Sequence, residues 1–127
     1  MLLLDSQALL WLLDDNPQLG TQARHAIATA HEVHVSAATV WELTIKTMLG
    51  KLSVPPDLAE RLPEQGLELL SITAEHAEAI REFPELARHD PFDRLIVAQA
   101  SCEGLQLLTA DRVLLDLHRE FILDASR

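Results

Sequence analysis

Cysteine is almost missing from this 127-residue chain, with Cys102 standing alone. A single thiol excludes an internal disulfide and a cysteine zinc cluster. Its apolar helical setting predicts a core residue. No apolar run approaches the ~18 residues needed to span a bilayer. The opening Met-Leu-Leu-Leu-Asp lacks a basic segment and carries an acid at position 5, so no secretory leader is expected and a cytoplasmic location is. Repeats, low-complexity tracts and Gly/Ser linkers are absent too. Positive charge is scarce: ten Lys and Arg face 20 Asp and Glu, giving a net charge of -10. A basic nucleic-acid-binding surface is therefore excluded. To handle a polyanion, the chain would need a bound metal, a local basic edge or a partner. What is present, 48% hydrophobic and 24% charged residues, describes one folded domain over 1–127.

Short apolar runs alternate with helical patterns along the whole length. Leu2 to Leu4 form a run ending at Asp5, and residues 6–13 (SQALLWLL) are helix-compatible and apolar all round. A helix of that kind needs cover on more than one side. Thr21 is placed to cap a helix running to about Ala30. Val33 to Ser36 is the second strand candidate, and Ser36 caps a helix that stops at Gly50. A short helix from Asp57 to about Gln65 ends at Gly66, and Leu67 to Ile72 forms a third strand. Thr73 caps a helix from Ala74 to Phe83, and a loop runs from Pro84 to His89. Asp90 caps a helix that opens on Pro91 and closes at Gly104. Leu105 to Thr109 and Phe121 to Ala125 supply two more strands, with a short helix after Asp111 between them. Strands separated by helices predict a parallel sheet with helices on both faces, a single-domain α/β/α sandwich.

In such sheets the working residues gather beyond the carboxyl ends of the strands. Asp5 follows the first strand and Asp111 the fourth. Glu42, between Trp41 and Leu43, and Asp93, between Phe92 and Arg94, are acids set in apolar helical sequence. Four carboxylates gathered together repel one another and persist only with a cation or with protonation. Oxygen donors, without Cys or paired His, select a hard ion such as Mg²⁺ or Mn²⁺. Such an ion can activate water and neutralise charge on a phosphoryl group.

Each acid also has an ordinary reading. Asp5 and Asp111 suit helix N-caps, and Glu42 suits an i,i+4 pair with Lys46. Asp90 is the natural cap of its helix, which puts Asp93 at the capping-box position. Lys46 and Arg94 read as surface counter-charges or as phosphate contacts. The six histidines (His25, His31, His34, His76, His89 and His118) show no ligand-like spacing, and only His89 lies near the acids. Trp11 and Trp41 read as core.

The residues carry a resemblance. LLLDSQALLW, SAATVWELTIKTMLGKL, HDPFDRLIVAQA and LLTADRVL, spread over the whole chain, resemble a PIN-domain ribonuclease of the VapC type, the toxin of a type II toxin–antitoxin pair. HDPFDRLIVAQA is the most specific of them. The resemblance implies strand order 3-2-1-4-5 and a metal-dependent endoribonuclease that hydrolyses RNA phosphodiesters. Its catalytic and metal-binding acids fall on Asp5, Glu42, Asp93 and Asp111, with Mg²⁺ or Mn²⁺ as cofactor. Asp5 and Asp93 are then the foremost ligands, and Asp90 has a less defined role. The resemblance also implies an RNA substrate, a homodimer and a small antitoxin partner, for which the 6–13 helix and the Trp41 helix are the candidate groove. Ser6 stands where relatives often have Thr. Three other classes compete: a catalytically inactive PIN-like binding module, a phosphatase with an Asp nucleophile, which usually wants a second Asp where Gln7 stands, and a receiver-type signalling domain. The receiver would need paired acids after the first strand, but Ser6 follows Asp5, and no Lys occurs after Lys51.

Overall fold

Three consecutive leucines form the middle of the sheet, and they can do so because both faces are covered. The computed structural model describes residues 1–127. Its strands are β1 (Leu2–Leu4), β2 (Val33–Ser36), β3 (Glu68–Leu70), β4 (Gln106–Thr109) and β5 (Ile122–Asp124). They form one parallel sheet in the order β3-β2-β1-β4-β5. Side chains alternate between faces along a strand. Leu2 and Leu4 accordingly join Leu9, Val33, Val35 and Leu43 on one side. Leu3 joins Ala38, Ile96, Val97, Leu107 and Leu114 on the other. All three leucines are essentially inaccessible, and each is worth roughly 1.5–3 kcal/mol of burial.

The helices are α1 (Ser6–Leu13), α2 (Thr21–Thr29), α3 (Ala37–Met48), α4 (Leu58–Arg61), α5 (Ala74–Ala79), α6 (Pro91–Glu103) and α7 (Arg112–Leu115). Side-chain caps begin most of them. Asp5 accepts from Ala8 N, Ser36 from Ala38 N, Thr73 from His76 N, Asp90 from Phe92 N and Asp93 N, and Asp111 from Val113 N and Leu114 N. Gly104, at φ 66°, ends α6 in the left-handed conformation and turns the chain into β4.

Some expectations are corrected. Thr21 does not cap α2. Gly20 is its N-cap and has no side chain, so Gln22 N and Ala23 N donate instead to the Arg127 carbonyl at 2.9 and 3.1 Å. That contact brings in the far end of the chain, which no local pattern announces. The helix after Asp57 is α-helical only to Arg61 and then tightens to a 3₁₀ turn over Leu62–Gln65, with Pro63 inside it. The helix from Ala74 also tightens at Ile80, and β3 is shorter than its apolar run. Cys102 is exposed, not core. α6 is buried over Ile96, Val97, Ala98, Gln99 and Ala100, and its last turn, from Ser101, is exposed. Trp41 is 58% exposed and leans edge-on against Phe92, with ring centroids 4.9 Å apart. Its neighbours Glu42 and Leu43 take the inward positions. The apolar α1 is covered by the protein itself: Ala8 and Leu9 are buried, and Leu10, Trp11, Leu12 and Leu13 pack at the margin of the same core.

A buried polar network ties α3 to α6. Ser36 Oγ donates to Gln99 Oε1 at 2.5 Å. The Gln99 amide nitrogen lies 3.3 Å from both the Ser71 carbonyl and His76 Nδ1. His76 Nε2 is 2.8 Å from Glu103. Buried polar groups are costly when unpaired, so the network fixes how the Glu42 and Asp93 helices meet.

Candidate functional site

After β1 the chain turns to β2 on one side, and β4 lies on the other. This is the switch point at which parallel sheets open a crevice beyond their carboxyl ends. Asp5 and Asp111 stand there, each at the N-cap of the helix that follows its strand. Glu42 reaches the crevice from the second turn of α3, and Asp93 from the first turn of α6. All four expected acids line one pocket of about 480 Å³, together with Asp90, Lys46, Ser6 and the α1 residues Gln7, Leu10 and Trp11.

Hydroxyl groups orient two of the carboxylates. Asp5 is 4% exposed. Its Oδ1 accepts from Ala8 N at 2.8 Å, and its Oδ2 accepts from the Thr109 hydroxyl at 2.5 Å. Thr109 in turn accepts from Asp111 N. Glu42 Oε1 accepts from Ser6 Oγ at 2.6 Å, and Oε2 accepts from Lys46 Nζ at 2.8 Å. Asp93 Oδ2 lies 3.1 Å from His89 Nε2, and Asp111 Oδ2 lies 3.5 Å from the same nitrogen.

The electrostatics follow from this crowding. Burial pushes the Asp5 carboxyl up to about 6; the hydrogen bonds from Thr109 and Ala8 pull against that, and Asp111 and Glu42 add to it. Burial, then repulsion from Asp90, Asp111, Asp5 and Glu42, pushes Asp93 up to about 7. Lys46 is raised above its ordinary value, chiefly by its hydrogen bond to Glu42. The pocket resists holding all its negative charge at neutral pH, and a cation would relieve that.

The ordinary readings of Asp5, Glu42, Asp90 and Asp111 are all realised, and the shared pocket is realised with them. The capping-box position of Asp93 is not used, since its carboxylate turns to His89. Arg94 is not in the pocket; it donates to the Ala87 carbonyl at 3.1 Å on another side of α6. Thr109 was not foreseen as a site residue, and Gln7 and Trp11 were expected only as part of the 6–13 helix at the candidate groove. The signal for Thr109 is its place two residues before Asp111 at the end of a strand. The spacing of Gln7, Leu10 and Trp11 (i, i+3, i+4) is that of one helix face. A second cluster joins Glu32, just before β2, with His34 on β2 and Glu68 on β3; only the β2–β3 pairing brings Glu68 to the other two, which the sequence did not announce.

The observed order also separates this sheet from the 2-1-3-4-5 order of receiver domains. The PIN domain family model matches residues 2–120. The chain is 33% identical to Ribonuclease VapC22 of Mycobacterium tuberculosis over 117 residues, covering 87% of this chain and 86% of that protein. The fold is similar to a structure of VapBC2 from Rickettsia felis bound to a promoter DNA fragment, with a TM-score of 0.70, 16% identity and 97% of each chain covered. It is also similar to a toxin–antitoxin complex from Klebsiella pneumoniae, with a TM-score of 0.68, 17% identity and coverage of 97% of this chain and 96% of that one.

Proposed function

The chain belongs to the PIN-domain family and is of the VapC type, and on that premise we propose that it is a metal-dependent endoribonuclease, the toxin of a toxin–antitoxin pair. One observation carries the reading: Asp5, Glu42, Asp93 and Asp111, from four separate elements, converge on one pocket in which burial first, and repulsion after it, raises Asp5 and Asp93. The relative named a ribonuclease supports RNA as the substrate. The donor set fits Mg²⁺ or Mn²⁺, because carboxylate oxygens predominate and the Asp5 and Glu42 oxygens are held by neighbouring hydroxyls. Asp5, Asp93, Glu42 and Asp111 would hold the ion. When bound, it activates water and offsets the charge that grows on the phosphoryl oxygens during attack.

The protein's own groups do the rest. Thr109 and Ser6 fix the rotamers of Asp5 and Glu42, so little reorganisation accompanies substrate binding. Lys46, the one basic side chain lining the pocket, is 2.8 Å from Glu42 and about half exposed, in reach of a strand phosphate. Water oxygen attacks phosphorus, the P–O3′ bond breaks, and the products carry 5′-phosphate and 3′-hydroxyl ends. Trp11, Leu10 and Gln7 line both the acid pocket and an adjoining groove of about 620 Å³ closed by residues 52–65. That groove is our candidate seat for an antitoxin segment covering the pocket, and the neighbouring structures of toxin–antitoxin complexes support such a partner. The exposed Trp41 and Met48 on α3 suit a homodimer contact.

Cleavage of end-labelled RNA by the purified protein tests the reading. Cleavage should require a divalent ion and leave 5′-phosphate ends. Asp5→Ala, Glu42→Ala and Asp93→Ala should each lose most of it while folded. Cleavage in a chelator that survives Asp93→Ala would overturn the mechanism.

A further inference from the structure

Two clusters in the molecule set a histidine among carboxylates, and they differ in geometry. At His34 the two ring nitrogens face different acids: Nε2 is 3.3 Å from Glu32, and Nδ1 is 3.9 Å from Glu68. Only Nε2 is in hydrogen-bond range there, and Nδ1 is left without a partner. At His89 a single nitrogen meets both acids, Nε2 lying 3.1 Å from Asp93 Oδ2 and 3.5 Å from Asp111 Oδ2. One N–H proton is shared poorly between two such acceptors. A metal ion serves all three atoms at once. The three donor atoms lie within 4.8 Å of one another. Neighbouring donors around an octahedral ion at about 2.1 Å stand about 3 Å apart, close to the separations seen here.

The position of His89 is also built. The 3₁₀ turn Pro84–Leu86 precedes it, and His89 N donates to the Leu86 carbonyl at 2.9 Å. Asp90 directly after it caps α6, which sets His89 and Asp93 one helical turn apart. The side chain is 21% exposed, half-closed over the acids rather than free in solvent.

Resting on the reading of this pocket as a divalent-metal centre, we propose that His89 is a direct nitrogen ligand of the ion, alongside Asp93 and Asp111, and that it makes the centre prefer Mn²⁺ to Mg²⁺. Mg²⁺ takes oxygen donors almost exclusively, whereas Mn²⁺, although lowest in affinity of the first-row series and also at home among carboxylates, accepts an imidazole nitrogen beside them. A nitrogen ligand therefore adds to Mn²⁺ binding and little to Mg²⁺ binding.

The test uses the full-length protein stripped of metal by a chelator. Pulsed electron paramagnetic resonance of the wild-type protein loaded with one Mn²⁺ should show the ¹⁴N modulation of a directly bound imidazole. This needs no variant and is independent of folding effects. Mn²⁺ and Mg²⁺ affinities are then measured calorimetrically for wild type, His89→Gln and Asp93→Asn. His89→Gln should lose the nitrogen signal and about tenfold or more in Mn²⁺ affinity, with Mg²⁺ affinity nearly unchanged. Asp93→Asn should weaken both ions. The inference is overturned if wild type shows no bound nitrogen and His89→Gln binds Mn²⁺ as well or better. His89 is then only a counter-charge that the ion displaces, and the metal centre stands without it. Absence of binding of either ion to folded wild type would instead remove the metal centre itself, and this ligand with it.

Discussion

Replacing Asp5 by Asn in metal-free protein should flatten the fall of stability with pH and so reverse the order of variant and wild type between pH 4 and pH 8. Asp5 is fully enclosed, and burial raises its carboxyl from the ordinary 3.8 to about 6. Between those two values the native state holds a proton that the unfolded chain has released. Stability must then fall as pH rises, because the native state binds more protons. The gap between 3.8 and about 6 corresponds to ~3 kcal/mol, absent below about pH 3 and complete above about pH 7. Asparagine keeps an acceptor for Ala8 N and carries no charge, but it turns an amide toward the Thr109 hydroxyl, which now donates to Asp5. The lost hydrogen bond costs about 1–2 kcal/mol. Asp5→Asn should therefore be about 1 kcal/mol less stable than wild type near pH 4 and about 1–2 kcal/mol more stable near pH 8. Urea denaturation of both proteins in a chelator, from pH 4 to 8, measures this. Asp93 is shifted in the same direction, so the variant keeps part of the slope. Parallel profiles for the two proteins, or wild-type stability that rises between pH 5 and 8, would refute the reasoning.

Asp93→Asn in chelator at pH 8 should be as stable as wild type or more so, while Asp90→Ala should lose about 0.5–2 kcal/mol, because the cap belongs to Asp90. Denaturant titration separates the two. Lys46→Ala removes an i,i+4 pair whose lysine side chain is 48% exposed but whose Glu42 partner is only 10% exposed, so stability should fall by about 1 kcal/mol, more than a fully exposed pair is worth. Cleavage should fall clearly in the same variant, as quantitative assays on short RNA would record. Gly20→Ala places a Cβ 2.1 Å from the Arg127 backbone. The terminal segment must then move and leave Gln22 N and Ala23 N without their acceptor, at about 1–3 kcal/mol. Thr21→Ala should be nearly neutral by comparison in calorimetric melting.

Element type and order were legible because local signals agreed. Ser36, Thr73, Asp90 and Asp111 each mark a helix start that the structure keeps, and Gly66 and Gly104 mark ends. What local signals could not carry was long-range contact. The cap of α2 comes from Arg127, more than a hundred positions away, so Thr21 was credited with work that it does not do. Trp41 was assigned to the core by residue type and Cys102 by its apolar helical setting, but Trp41 lies on the outer face of α3, and α6, buried from Ile96 to Ala100, is exposed in its last turn. The four acids were legible by position after strands and within apolar helices. Their supporting groups, Thr109 and Ser6, were not, because a hydroxyl at a strand end or first turn has many uses and only the sheet order brings it to a carboxylate.

Asp5 and Asp111 satisfy helix-capping rules, and in the proposed function they would also hold the metal, because each task needs only one oxygen. Asp111 shows this most clearly. Its Oδ1 accepts from Val113 N and Leu114 N, while Oδ2 lies 3.5 Å from His89 Nε2. Asparagine is as good an N-cap as aspartate. Asp111→Asn should therefore keep Oδ1 on α7 and leave stability within about 0.5 kcal/mol of wild type. It replaces only the pocket oxygen, with an amide that cannot ligate as an anion, so the rise in melting temperature on adding Mn²⁺ should shrink. Asp111→Ala loses both oxygens and should cost about 1 kcal/mol even in chelator. Thermal melts of the three proteins, with chelator and with Mn²⁺, read the two oxygens separately. If Asp111→Asn is destabilised as much as Asp111→Ala, or keeps the full Mn²⁺ response, the division of labour between the oxygens is wrong.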